Sequence, residues 1–216
     1  MTIATAAPDA RTRIERLHLV TPAHTGPDVI PALRAALDAG ARHVQARTKA
    51  VDDRQRFAFT SRMQRVCADA GATLVVNDRV DLALAVHAAG VHVGDEDLPP
   101  AVARRLVGPD AIVGVTCRDP EAARRAADAG ASYLGVGPAY ATTTKAGLPD
   151  ALGPRGIEAV ARAVDLPVIA IAGITPARVP ELLSAGAHGV AVVSAVFGVA
   201  DPAEATRTFL EALRCT

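Results

Sequence analysis

A short apolar run followed by a hydroxyl-rich loop is the most distinctive feature of this sequence. The run Tyr133 to Val136 is too short for a helix and is bounded by glycine and proline, as a buried parallel strand would be. The loop that follows has no helical periodicity before Gly153, and its polar side chains include Thr142, Thr143, Thr144 and Lys145. Hydroxyl and ammonium donors suit a phosphate group. The alternative is a solvated loop in which Lys145 faces water.

A second polar group alternates along an extended segment. Gln45, Arg47 and Lys49 are each two residues apart, so in a strand their side chains point to one side. Arginine can donate to two phosphate oxygens at once, and lysine adds a point charge. The pattern predicts a polyanion site, unless these side chains only reach solvent at a strand end.

Two carboxylates, Asp78 and Asp97, follow neighbouring apolar runs. At the ends of adjacent strands they could share a magnesium ion that also binds phosphate oxygens and water. Each could instead cap the helix that follows it, as could Asn77. His92 lies inside an apolar run and is expected to be a hydrogen-bonded core histidine. No set of nucleophile, base and orienting acid is present, so the chemistry is expected to be electrostatic.

Eight β-branched runs alternate with alanine-rich helical segments. The runs are Leu17 to Val20, Arg42 to Arg47, Thr73 to Asn77, Val91 to Gly94, Ile112 to Val115, Ser132 to Val136, Val168 to Ile171 and His188 to Val193. Runs that are apolar at nearly every position indicate strands buried on both faces. Eight strand-helix units predict a (β/α)8 TIM barrel over residues 15–216, after a loose tail over residues 1–14. An open doubly wound sheet is the alternative.

Glycines and prolines mark the ends of the helical segments. Asp119, Thr175 and Asp201 each precede a proline, which is the pattern of an N-cap followed by proline at the first helical position. Five glycines are predicted to be helix C-caps: Gly40, Gly71, Gly90, Gly130 and Gly186.

A barrel would bring the polar residues together, because its active site forms at the carboxyl ends of the strands. The small turns after the seventh and eighth runs, around Gly173 and Ser194, are where barrels often hold a phosphate. A second anion site near the second and sixth strands predicts two phosphorylated substrates.

Composition excludes several other classes of protein. The 23 basic and 23 acidic residues balance, so no overall charge attracts nucleic acid or an acidic membrane. No apolar run reaches membrane-spanning length. Three cysteines, Cys67, Cys117 and Cys215, lack metal-ligand spacing and predict reduced thiols in the cytoplasm. Assembly into a homo-oligomer is left open.

In combination, these motifs resemble those of the thiamine-phosphate synthase (thiamine-phosphate pyrophosphorylase) family, from about Leu17 to Phe197. Gln45-Ala-Arg47-Thr-Lys49 is similar to the family's Q-x-R-x-K, and Asn77-Asp78-Arg79 to its N-D-R. Val91 to Asp97 is similar to V-H-x-G-Q-x-D, and Gly137 to Lys145 to G-P-x-x-x-T-x-T-K. Ala170 to Ile174 and Val193-Ser194 complete the set.

The resemblance implies a transferase of thiamine biosynthesis. It would join 4-amino-5-hydroxymethyl-2-methylpyrimidine diphosphate to a thiazole phosphate, with Mg2+ as cofactor, through loss of diphosphate and capture of a pyrimidine carbocation. By position, the pyrimidine diphosphate would be held by Gln45, Arg47, Lys49, Asn77, Thr116 and Lys145. Catalysis would depend on Arg47, Lys49 and Lys145, and Mg2+ would be bound by Asp78 and Asp97. The thiazole phosphate would be held by Thr142, Thr144, Gly173, Val193 and Ser194.

The chain departs from the family pattern at a few positions, which are Ala46, Thr48, Asp95, Thr116 and Ala172. Asp95 adds negative charge beside the expected diphosphate, and Ala172 adds a methyl group to the expected phosphate turn. Two alternatives of the same fold are a thiazole tautomerase and a non-catalytic phosphate-binding barrel. Retention of Arg47, Lys49, Asp78 and Asp97 argues against the tautomerase, which would lack a diphosphate site.

Overall fold

The computed structural model describes residues 14–49, 51–144 and 147–214, which form a closed barrel of eight parallel strands. Each strand pairs with its neighbours in chain order, and β8 closes the barrel against β1. The strands are β1 Leu17–Val20, β2 His43–Ala46, β3 Thr73–Asn77, β4 Gly90–Val93, β5 Ile112–Cys117, β6 Tyr133–Val136, β7 Val168–Ile171 and β8 Gly189–Val192. The predicted (β/α)8 barrel is confirmed, and the doubly wound alternative is wrong.

Helices follow the strands and form the outer layer. They are α1 Val29–Asp38, α2 Asp53–Asp69, α3 Val80–Ala85, α4 Pro100–Val107, α5 Pro120–Asp128, α6 Gly153–Ala161, α7 Val179–Ser184, α8 Ser194–Phe197 and α9 Pro202–Arg214, with a 3-10 turn at Pro176–Arg178 before α7. Asp119 caps α5 by accepting from the amide of Ala122, and Asp201 caps α9 by accepting from that of Glu204. Thr175 precedes the 3-10 turn without a side-chain cap bond.

One predicted helix cap is wrong. Gly40, Gly71, Gly130 and Gly186 have the positive φ of a C-terminal cap, but Gly90 is the first residue of β4. A Cβ atom at Gly90 would lie 1.8 Å from the carbonyl oxygen of Ile112 in β5, so glycine is needed there for close strand approach. The left-handed residue after α3 is instead His87, with φ 53°.

Side chains of the strands alternate between two cores. In β1, Leu17 and Leu19 pack outward among the helices, whereas Val20 belongs to the barrel interior. The interior cluster draws on most strands and includes Val20, Val75, Ile112, Tyr133, Ile169 and Ala191. This alternation follows from the period of two in a strand, and it directs every second side chain toward the axis of the barrel.

The barrel interior also contains buried histidines. His18 and His43 are neighbours in the β1–β2 register, and their rings stack at 3.7 Å between centroids. Both ring nitrogens of His43 lack a hydrogen-bond partner among the described residues. Burial, with a smaller effect from His92, lowers the pKa of His43 to about 3. Burial and the neighbouring His43 also hold the pKa of His18 well below its usual value. These imidazoles are therefore neutral at pH 7.

Replacing His43 by leucine is expected to make the protein less sensitive to acid. In the unfolded chain this imidazole takes up a proton below about pH 6.5, whereas in the fold it does so only near pH 3. The free energy of unfolding therefore decreases as the pH falls through this interval. At pH 5, one such histidine lowers it by about 2 kcal/mol relative to pH 8. Urea titrations of the variant and the parent at pH 8 and pH 5 measure the difference.

His24 provides the matched control, because its side chain is exposed to water in the fold. His24→Gln should lose stability between pH 8 and pH 5 as the parent does. If His43→Leu also loses stability in parallel with the parent, the buried imidazole does not cause the acid sensitivity.

The predicted tail, residues 1–14, lies outside the described residues except for Ile14. The side chain of Ile14 is buried, and its carbonyl oxygen lies 3.0 Å from Nε2 of His188. Over the described ranges, no helix has the length and apolar character that crossing a bilayer requires.

Candidate functional site

A cavity of about 640 Å³ opens at the carboxyl ends of the strands. The structure brings nearly all of the predicted site residues to its wall: Gln45, Arg47, Lys49, Asn77, Asp78, Asp97, Thr116, Thr142, Thr144, Gly173, Val193 and Ser194. Lys145 lies outside the described residues. The residues come from seven different strand ends, β2 to β8, which the closed barrel brings together.

The basic side of the cavity follows β2. Lys49 forms an ion pair with Asp78, with 2.9 Å between Nζ and Oδ2. The backbone amide of Arg47 donates to Oγ1 of Thr21 at 2.9 Å, which fixes the main chain independently of the guanidinium. The segment after Lys49 is held by Arg56, whose guanidinium donates to the carbonyl oxygens of Thr48, Lys49 and Val51 at 3.2, 3.1 and 2.9 Å. Two cations thus face the cavity from an anchored segment.

Asp78 and Asp97 converge beside Lys49, and neither caps a helix. The N-cap positions of α3 and α4 are Arg79 and Pro99, which make no side-chain cap bonds. Asp97 instead accepts from the amide of Gly94 at 2.8 Å. Burial raises the pKa of Asp97, and a hydrogen bond to Asp78 and its negative charge add to this rise. The two carboxylates are thus close enough to repel each other when both are ionised.

Two carboxylates are too few to hold a metal ion with protein ligands alone, but they are enough for Mg2+, which also takes ligands from phosphate and water. Among the described residues, no group of three or more His, Cys, Asp or Glu side chains is arranged to hold a metal ion. Mg2+ is usually bound by one or two carboxylates, with phosphate oxygens and water completing its octahedron. Asp78 and Asp97 fit that pattern when a phosphorylated substrate is present.

Hydrogen bonds connect the cavity to the barrel interior. Nδ1 of His92 lies 2.9 Å from the Tyr133 hydroxyl, and Nε2 lies 2.9 Å from Oγ1 of Thr116. His92 is therefore the hydrogen-bonded core histidine that was predicted, and burial lowers its pKa to about 4. A Cβ at Gly114 would lie 2.3 Å from Cζ of Tyr133, so this glycine makes room for the pair. The arrangement fixes Thr116 at the cavity wall.

Small residues and hydroxyl groups form the opposite end of the cavity. Oγ1 of Thr144 lies 3.2 Å from Oγ of Ser194, which joins the loop after β6 to the start of α8. After β7 the chain turns through Ala172 and Gly173, with φ of 80° and 65°. The amides of Gly173 and Ile174 donate to no other described residue. Amides and hydroxyls at the ends of β6 to β8 are suited to a phosphate.

Ala172→Gly is expected to stabilise the protein. A left-handed backbone costs an L-residue about 1–2 kcal/mol, and the greater entropy of unfolded glycine offsets about 0.5–1 kcal/mol of the relief. The net gain should be about 0.5–1 kcal/mol, measured by urea denaturation. Ala127→Gly, within helix α5, is the control and should destabilise by roughly 1 kcal/mol. Equal destabilisation by both changes would contradict the argument.

Some residues of the cavity could not be identified from the sequence. His18, Tyr133 and Arg118 also line it, and Arg118 donates to the carbonyl oxygen of Asp150 at 2.8 Å. The position of Tyr133 inside a predicted strand gave no indication of which face it occupies. Cys117 is buried, and this burial raises its thiol pKa to about 12, as expected for a packed thiol and not for a nucleophile.

Comparisons with known proteins identify the family. The sequence model of the thiamine monophosphate synthase family matches residues 17–196. The chain is 48% identical over 203 residues to the thiamine-phosphate synthase of Salinispora arenicola, a match that covers 93% of this chain and 98% of that protein. It is 49% identical over 201 residues to that of Salinispora tropica, with 92% and 97% covered.

A solved structure agrees with these sequence matches. The thiamine phosphate pyrophosphorylase of Pyrococcus furiosus superimposes with a TM-score of 0.84 at 33% identity, over 94% of this chain and 97% of that one. Family match, sequence identity and fold therefore give the same assignment, and the chain belongs to the thiamine monophosphate synthase family.

Proposed function

We propose that this protein is a transferase that makes thiamine phosphate from 4-amino-5-hydroxymethyl-2-methylpyrimidine diphosphate and a thiazole phosphate. The observation that supports the proposal is that side chains and amides suited to anions lie at two ends of one cavity. Cations and paired carboxylates lie at one end, and hydroxyls lie at the other with backbone amides that donate to no other described residue. The relatives' names give the product, thiamine phosphate, and the sequence motifs imply the two substrates.

The pyrimidine diphosphate is assigned to the end near β2 to β5. Arg47 and Lys49 donate to the diphosphate, while Gln45, Asn77 and Thr116 orient the pyrimidine. Mg2+ held by Asp78 and Asp97 would neutralise charge on the diphosphate when bound. Lys145 is assigned to the same group from its place in the motif alone.

In the proposed reaction, these residues must stabilise the negative charge that develops on the diphosphate as it leaves. The bond between the pyrimidine methylene carbon and the diphosphate oxygen breaks, and its electron pair leaves with the oxygen. Arg47 and Lys49 face the developing negative charge, so they stabilise the transition state more than the bound substrate. The thiazole nitrogen then donates its electron pair to the methylene carbon and forms the new bond. No protein nucleophile is required, in agreement with the inert thiol of Cys117.

The thiazole phosphate is assigned to the end near β6 to β8. Thr142, Thr144 and Ser194 donate hydroxyl hydrogen bonds, and backbone amides around Gly173 and Val193 complete the phosphate site. This placement presents the thiazole nitrogen to the pyrimidine, because both substrates then share one cavity.

Incubation of the pure protein with both substrates and Mg2+ is the direct test. Thiamine phosphate and diphosphate should form in equal amounts, as quantified by chromatography and by a diphosphate assay. Omission of either substrate is the control and should abolish both products. Conversion of the thiazole substrate alone into an isomer would favour the tautomerase, and binding of thiamine phosphate without turnover would favour the non-catalytic barrel.

A further inference from the structure

Three side chains behind the phosphate end connect two of the loops that form the cavity. Tyr140 follows β6, Arg178 ends the 3-10 turn after β7, and Glu181 lies in the first turn of α7. None of these three residues lines the cavity itself. Any effect that they have on a substrate must therefore pass through the residues that they contact.

Their contacts join the loop after β6 to the turn after β7. The guanidinium carbon of Arg178 lies 4.2 Å from the centroid of the Tyr140 ring, and the same guanidinium donates to the carbonyl oxygen of Gly173. The Tyr140 hydroxyl donates to the carboxylate of Glu181. The backbone amide of Tyr140 donates to the carbonyl oxygen of Ala172 at 3.1 Å. The two segments are thus joined through both main chain and side chains.

The turn that these contacts hold is tight and conformationally unfavourable. Ala172 and Gly173 both have left-handed φ values, of 80° and 65°. A Cβ atom at Gly173 would lie 2.6 Å from the carbonyl oxygen of Ala141 and 2.8 Å from Cβ of Tyr140. Such a backbone persists only where surrounding contacts hold it in place. The stacked pair of Arg178 and Tyr140 supplies that hold on the side away from the cavity.

The bond from Arg178 also has an electrostatic consequence. The carbonyl of Gly173 and the amide of Ile174 belong to one peptide group, so a cation bound to the carbonyl polarises the group and strengthens its N–H as a donor. Ile174 lines the cavity, and its amide donates to no other described residue. A polarised donor that no other described residue engages therefore lies at the end of the cavity assigned to a phosphate.

We propose that Arg178 and Tyr140 are positioning residues for the phosphate of the thiazole substrate, acting through the turn Ala172 to Ile174. The proposal rests on the proposed function, because it takes that substrate as the occupant of this end. The contacts of Arg178 and Tyr140 do not extend to the diphosphate end of the cavity, so we expect no effect of these residues there. The two substrates should therefore respond differently when the pair is disrupted.

Arg178→Met tests the proposal, because it removes the charge and keeps an unbranched apolar side chain over the tyrosine ring. We expect the KM for the thiazole phosphate to rise about tenfold, a typical effect of losing a charge-assisted hydrogen bond. The KM for the pyrimidine diphosphate and the kcat should stay within about twofold of the parent's values. A change of that size is smaller than the loss of a charge-assisted hydrogen bond would cause. Arg178→Lys keeps the charge and a donor, so its KM for the thiazole phosphate should lie between those of Arg178→Met and the parent.

Arg162→Met is the matched control, because Arg162 is an exposed arginine at the end of α6 whose ion pair, among the described residues, is with Glu158 of the same helix. It should leave both KM values unchanged. Tyr140→Leu provides a second variant that should also raise the KM for the thiazole phosphate selectively, should Arg178→Met fail to fold. Calorimetric binding of the thiazole phosphate alone gives an independent measurement.

The outcomes separate this inference from the proposed function. Equal rises in both KM values with a lower melting temperature would show a merely structural role, and an unchanged KM for the thiazole phosphate in both Arg178→Met and Tyr140→Leu would also overturn the proposal. A folded parent that forms no thiamine phosphate would overturn the proposed function instead. Weaker calorimetric binding of the thiazole phosphate by Arg178→Met would then still support the positioning role.

Discussion

Arg47→Ala is expected to lower the rate of thiamine phosphate formation by about a hundredfold or more, the usual cost of losing one electrostatic partner of a transition state. The Arg47 side chain faces the cavity and forms no ion pair with an acidic residue in the described part of the chain. Its removal therefore leaves no buried carboxylate unpaired. Because the main chain is held by Thr21, folding should be nearly unaffected. Steady-state kinetics and thermal melting of the purified variant measure the two effects.

The expected loss should fall mainly on kcat, because charge on the diphosphate grows as the bond breaks. Arg47→Lys should recover part of the rate, since it keeps the charge and loses the paired donors. Arg34→Ala removes an exposed arginine from α1 and serves as the control for lost charge. Normal turnover by Arg47→Ala, combined with a markedly lower melting temperature, would make Arg47 a structural residue.

Asp97→Asn is expected to raise sharply the Mg2+ concentration needed for half-maximal rate. An amide is a much poorer ligand for a hard dication than a carboxylate. The asparagine oxygen can still accept from the amide of Gly94, so the local turn should persist. Because the change also removes a charge that repels Asp78, the melting temperature without Mg2+ should equal or exceed the parent's. Asp78→Asn should show a similar Mg2+ requirement.

Asp95 is the matched control, because it is a third carboxylate at the same cavity. Asp95→Asn should leave the Mg2+ requirement intact and tighten the binding of pyrimidine diphosphate by removing surplus negative charge. A Mg2+ titration of the three variants beside the parent compares them directly. An unchanged requirement in Asp97→Asn would leave the proposed metal site without its second carboxylate.

The sequence by itself determined the alternation of buried parallel strands with covering helices, and most of the residues that line the cavity. Eight apolar runs separated by amphipathic helices can bury both strand faces only in a parallel sheet covered by helices. The position of a residue within its strand-helix unit then decides at which end of the barrel it lies. For this reason residues as distant in the chain as Gln45, Thr116 and Ser194 were predicted to share a site, and all three line the same cavity.

Other features depended on distances that no local pattern encodes. The sequence could not distinguish helix caps from a paired site for Asp78 and Asp97, because both interpretations use the same residue types at the same positions. The paired site follows from the left-handed backbone of Asp78, with φ 66°, and from the approach of the two loops. Likewise, Gly90 differs from the helix-capping glycines only because Ile112 of the neighbouring strand occupies the space of a side chain. Contacts between segments far apart in the chain are set by barrel closure, and so only the tertiary structure decided them.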